Sequence, residues 1–186
     1  MEDFLNQVDL AANTVGLYFL ALAGALVIPD ICGALESPDG IANGDRYIAW
    51  FNANIAPKYA AGFVQLSGED CYQFRCSFLH RGRTINPRSS YTRIIFLEPG
   101  GPIMGHMNIL NDALNLDIPT FCHDMTEAAR NWMASQTGTE PYESNRKVLW
   151  CMKIQKPRHR DEVMDSARLP PHLRRTRLHP NASGGV

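Results

Sequence analysis

Within the stretch Asp70 to Gly82, DCYQFRCSFLHRG, an arginine and a histidine stand five positions apart, Arg75 and His80, among largely apolar neighbours. An imidazole can take or give a proton near neutral pH, so it suits general acid or base work. A guanidinium offers a planar fork of donors that holds a phosphate and stabilises negative charge developing on it. Together the two point to phosphate chemistry. On a straight helix, five steps leave the side chains about 140° apart and about 7.5 Å along the axis. Their heads meet at one phosphate only if Arg75 extends or the helix ends at His80, and Gly82 supplies such an ending. A plainer reading stands beside this one. In it Arg75 pairs with Glu69, Asp70 or another acid, and His80 sits at a helix C-terminus, favoured by the dipole and bonding the last carbonyls.

The surrounding charge pattern favours phosphate. The formal net charge of the 186 residues is -1, but residues 1–152 carry 10 Lys+Arg against 16 Asp+Glu, whereas residues 153–186 carry 8 against 3. An acidic body is thus joined to a basic tail. Between Asp70 and Glu98 that body has no acid, and Arg75, Arg81, Arg83, Arg88 and Arg93 all fall there. Such a run makes a positive patch for RNA, with Tyr72 and Tyr91 available for stacking on bases. The arginines could equally pair with surplus acids elsewhere. The tail arginines (Arg158, Arg160, Arg168, Arg174, Arg175, Arg177) would either add nonspecific RNA affinity or solubilise the terminus.

The elements that must position these groups read as mainly helical. Residues 3–28 form a long apolar helix that stops at Pro29-Asp30. A loop rich in glycine covers 30–45, and 46–55 is a short helix ended before Pro57. Ser67-Gly68-Glu69-Asp70 fits a capping box, and Cys71, Phe74 and Phe78 share one stripe, giving a helix from Gly68 to about Arg81. The period then changes. Tyr91–Leu97 reads as a strand, Pro99-Gly100-Gly101-Pro102 as a turn and Ile103–Leu110 as a returning strand, a β-hairpin over about 91–110. Pro119 opens an amphipathic helix that stops at Thr137-Gly138, and 142–154 can form another. Residues 1–156 then make one domain, with 157–186 a flexible, Pro-rich basic tail.

Arg75-Cys-Ser-Phe-Leu-His80 resembles the Arg-x4-6-His signature of the HEPN superfamily, small helical domains that include many metal-independent ribonucleases of toxin–antitoxin, phage-defence and CRISPR systems. The detailed likeness covers Gly68 to Gly82, and the flanking helices resemble that family's up-and-down bundle. The residue after the arginine is often Asn, Asp or His in active members, and here it is Cys76. The resemblance implies an endoribonuclease that uses the RNA 2′-OH as nucleophile, with His80 as acid or base and Arg75 on the phosphate. It also implies a homodimer that brings two motifs into one cleft, no metal and no cofactor, and a possible antitoxin or regulatory protein as partner. A noncatalytic HEPN-like module for dimerisation or for binding nucleic acid or protein fits the same residues.

Other chemistries find less support. Cys122-His123-Asp124, with His106 and Cys151, are metal-ligand types without a paired spacing. Cys71 and Cys76 lie on an apolar stripe, where a thiol is commonly a buried hydrophobe. Gly100-Gly101 lacks the context of a nucleotide-binding loop. The five cysteines are odd in number with no CxxC, which suits reduced thiols and a cytoplasmic location. The apolar run 10–28 is about long enough to span a bilayer, yet it has no flanking Lys or Arg before Arg46 and is rich in Ala and Gly, so a buried core helix is expected.

Overall fold

Gly16 takes a left-handed conformation (φ 72°, ψ 28°), and that one residue breaks the apolar N-terminal run in two. In the computed structural model, which describes residues 1–61, 64–82, 90–91, 93–101, 105–110 and 112–149, helix α1 covers Glu2–Leu10, a π-turn covers Ala11–Val15, and α2 covers Tyr18–Leu35. The single helix expected over 3–28 is therefore two. A residue with φ > 0 is strained unless it is glycine, so Gly16 sets where the chain turns back. The expected stop at Pro29 is also corrected, because α2 runs through it. Pro29 forfeits one backbone hydrogen bond, a cost of about 3 kcal/mol in an exposed helix. Here Ile28, Cys32, Gly33 and Leu35 are buried on both sides of it, so packing holds the helix together.

Helix α2 is the centre of the helical layer, touching α1, α3 (Gly44–Asn54), α4 (Gly68–Arg81) and α5 (Ile118–Gln136). It is also the one helix among the described residues long and apolar enough to cross a membrane, with a mean hydropathy of 1.9, and half of it is buried within the fold.

Helix α4 is bounded as its sequence dictates. Ser67 Oγ accepts from the Asp70 backbone N–H at 3.1 Å, and the Ser67 hydroxyl donates to Asp70 Oδ2 at 2.6 Å. Gly82, at φ 60°, closes the other end with its N–H on the Phe78 carbonyl. At the start of α4 the backbone presses on α3: a Cβ at Gly68 would lie 2.6 Å from the Ile48 carbonyl oxygen, so only glycine fits there. Ser67→Ala is expected to destabilise the protein by about 1 kcal/mol, read as a lower denaturation midpoint with an unchanged slope.

The β-structure differs from the expected hairpin. Residues Arg93–Leu97 do form a strand, β3, after a short antiparallel pair β1 (Ala60–Ala61) and β2 (Val64–Gln65). Its partner, however, is β5 (Ala113–Asp117), in parallel, with Ile94 opposite Leu114 and Phe96 opposite Leu116. The antiparallel partner of β5 is β4 (Asn108–Leu110), giving the order β3-β5-β4. Ala113, Leu114, Asn115 and Leu116 are all buried, which puts β5 in the middle of the sheet. Asn115 is tolerated there because its amide donates to the Ala113 carbonyl at 3.1 Å and the Asn108 carbonyl at 3.3 Å.

Aromatic rings tie α4 to the sheet and to α5. Phe74 of α4 lies 4.8 Å from Phe96 of β3, which lies 5.1 Å from Phe121 of α5. Helix α5 starts one residue before Pro119, with Asp117 Oδ1 accepting from the Thr120 N–H at 2.9 Å. The short helix α6 covers Tyr142–Asn145, so the helix expected over 142–154 stops early: residues 146–149 are turn and bend, and residues 150–154, like the tail 157–186, fall outside the described residues.

Candidate active site

The extended arm of Arg75 resolves the angular problem posed by the five-residue spacing. Its Nη1 lies 3.2 Å from His80 Nε2, so the two heads meet at the C-terminal end of α4 although their Cα atoms leave the helix in different directions. Since an arginine has only donors to offer, this contact requires Nε2 to be the lone-pair nitrogen of a neutral ring with the proton on Nδ1. The contact occupies that lone pair, so His80 can act as a base only once Arg75 turns from the ring to another acceptor. His80 is exposed and Arg75 half-buried, its side chain retaining 20% of its accessible surface.

What holds Arg75 is an acid from another helix. Asp30 of α2 accepts from Arg75 Nε at 3.0 Å and lies 2.9 Å from Nη2, both through Oδ2. Two of the three guanidinium nitrogens are thereby fixed, and Nη1 is left for His80. Of the plainer readings of Arg75, pairing with an acid holds, but the acid is Asp30 and not Glu69 or Asp70. Asp70 is used elsewhere, binding the Ser67 hydroxyl and, through Oδ1, the Ser90 backbone N–H at 2.6 Å. Burial raises the Asp30 carboxyl above the ordinary carboxylate range, with the Arg75 charge and hydrogen bond pulling in the opposite direction. The pair thus does not recover the full cost of desolvating the acid, which is the usual balance for a half-buried ion pair.

Asp30 was not among the residues that sequence reasoning selected. A stop at Pro29 would place it in a loop, while the continuing helix places it against α4. The usable signal was the lone acid in an apolar helix, which demands a partner.

The remaining expected RNA-binding residues divide. Arg81 is exposed in the last turn of α4, next to His80. Arg93 begins β3 and is half-buried. Arg83 and Arg88 lie outside the described residues. Tyr72 does not stand free for stacking. Its ring lies 5.3 Å from that of Tyr47 and packs on the start of α3, where a Cβ on Gly44 would approach it to 2.9 Å. Tyr91 uses its hydroxyl on β2, accepting from the Gln65 N–H at 3.0 Å and donating to the Gln65 carbonyl.

Of the cysteines and histidines set aside earlier, His123 is exposed on α5 and Cys151 lies outside the described residues. Cys32, Cys71, Cys76 and Cys122 are free thiols, and burial pushes Cys71 and Cys122 up to about 12, away from thiolate chemistry. Asp124 receives the Tyr59 hydroxyl at 2.9 Å and lies 2.6 Å from Lys58 Nζ. His106 accepts the Asp117 backbone N–H on Nδ1 at 3.2 Å. Among the described residues no three His, Cys, Asp or Glu side chains gather as a metal site.

Compared with known proteins, the chain matches no family model, no curated protein and no solved structure. The functional reading therefore stands on the geometry of α2 and α4.

Proposed function

We infer that this protein is a metal-independent endoribonuclease of the HEPN type, cleaving RNA with the 2′-OH as nucleophile. The observation that supports it is the contact between Arg75 Nη1 and His80 Nε2 at the end of a capped helix. A bound phosphate draws Arg75 away from the ring, the freed His80 lone pair takes the 2′-OH proton, and Arg75 neutralises charge on the phosphate. Arg81 adds positive charge at the rim, where RNA approaches. Toxin–antitoxin or phage-defence settings, and an antitoxin or regulatory partner, are the biological contexts this chemistry fits.

One chain supplies one arginine and one histidine, whereas strand cleavage needs a base and an acid. A second copy across a two-fold axis would supply the other proton-transfer group. Beside α4 the molecule exposes Leu17, Phe19 and Leu20, with Phe19 62% exposed and its ring 4.9 Å from Phe78 of α4. An apolar patch of that kind suits self-association. Phe19→Asp is expected to shift the protein from dimer to monomer in sedimentation velocity and to lower cleavage in parallel, with the thermal transition retained.

The engagement of Arg75 with Asp30 also favours a second reading, in which the pair is structural and the domain is a noncatalytic dimerisation or binding module. Incubating the protein with RNA in excess chelator separates the two. The ribonuclease cleaves with the chelator present; the module leaves RNA intact while Arg75→Ala alters binding or dimerisation.

A further inference from the structure

Asp30 belongs to two places at once. Its Oδ2 holds Arg75, and the residue also lines an open cavity of about 360 Å³ formed by α2, the loop before α3 and the segment around α6. That volume lies in the range of small-molecule sites. The cavity is mostly apolar, with Ile31, Ala34, Ala42 and Leu149 in its walls, and its two polar side chains are Asp30 and Asn145. Asn145 has its orientation fixed, because Nδ2 donates to the Ser37 carbonyl at 2.8 Å and the Leu35 carbonyl at 3.0 Å. Among the described residues no hydrogen bond reaches Asp30 Oδ1 or Asn145 Oδ1. An apolar cavity whose polar side chains present only acceptors selects a flat ligand carrying N–H donors.

We propose that this cavity is a base-binding subsite, taking a nucleobase with an exocyclic amino group while the adjoining phosphate rests on Arg75 and His80. The assignment deepens the ribonuclease reading and rests on it for the phosphate position. Adenine, cytosine and guanine each carry an amino donor that a carboxylate oxygen can accept. Uracil carries none, and its ring N–H is flanked by two carbonyl oxygens that would face the carboxylate. The apolar walls receive the ring faces. Asp30 then links base selection to the reacting phosphate through the arginine it holds.

The test uses the full chain and the 3′-monophosphates of adenosine, cytidine, guanosine and uridine, with binding followed by calorimetry. The amino-bearing nucleotides are expected to bind about tenfold or more tightly than uridine 3′-monophosphate, as suits loss of a hydrogen bond to a charged group. Ala42→Trp, at an exposed position in the wall, is expected to fill the cavity and erase the preference without altering the melting transition. Equal affinity for all four nucleotides, or a preference that survives Ala42→Trp, overturns the proposal. Because binding needs no turnover, the two readings fail separately: selection without RNA cleavage upholds the subsite and overturns the ribonuclease, and cleavage without selection does the reverse.

Discussion

His80→Ala is expected to lower the rate of RNA cleavage by roughly 10²–10⁴-fold, the usual contribution of a positioned acid or base. The effect should fall on turnover, with RNA binding nearly unchanged, because the imidazole moves a proton and the arginines supply the attraction. Stability should hardly move, since His80 is exposed at a helix end. Single-turnover cleavage of a labelled RNA, beside a denaturation curve for the same variant, checks both halves. Full activity in His80→Ala would remove the histidine from the mechanism.

Asp30→Asn is expected to lower turnover by about 10- to 100-fold while costing about 1 kcal/mol or less in stability. The neutral amide keeps the size of the side chain and still accepts a bond from Arg75, but it loses the charge that holds the guanidinium in place. Arg75 then samples other rotamers, and the donor aimed at His80 is present for less of the time. The small stability effect follows from the acid itself. Burial holds its folded-state pKa above the ordinary 3.8, so the folded protein binds this proton more readily than the unfolded chain does. Its contribution to stability is therefore lost as pH rises above the ordinary carboxylate value through the raised one. Asp30→Asn removes that dependence, and the stability gap between wild type and variant should change across that window and be constant above it. A purely structural salt bridge predicts the opposite split, with a large loss of stability and no separate loss of turnover.

The local signals around α4 were fully legible. Ser67 with Asp70, the Cys71–Phe74–Phe78 stripe, and Gly82 with Phe78 each act over a few residues of the same chain segment, so the sequence expectation of 68–81 matches the helix. The same local chemistry located α5 through Pro119. What could not be read were features decided by distant partners. Pro29 reads as a stop unless Ile28, Cys32 and Leu35 are known to be buried around it, and with the helix continuing, Asp30 becomes the partner of Arg75. The strand β5, ALNLD, has little strand character in its own letters. It is a strand because it lies between β3 and β4, and the turn at Pro99–Pro102 drew attention to the wrong pairing. Five-residue spacing likewise left open whether Arg75 and His80 meet, since the reach of a long side chain is fixed by what anchors it.

The identity of the RNA ends formed by the protein in excess chelator tests the central claim most directly. Attack by the 2′-OH under Arg75 and His80 predicts 2′,3′-cyclic phosphate and 5′-hydroxyl ends, visible by mass spectrometry and absent from the products when the scissile nucleotide is 2′-deoxy. Intact RNA, or products ending in 3′-hydroxyl and 5′-phosphate, would contradict it.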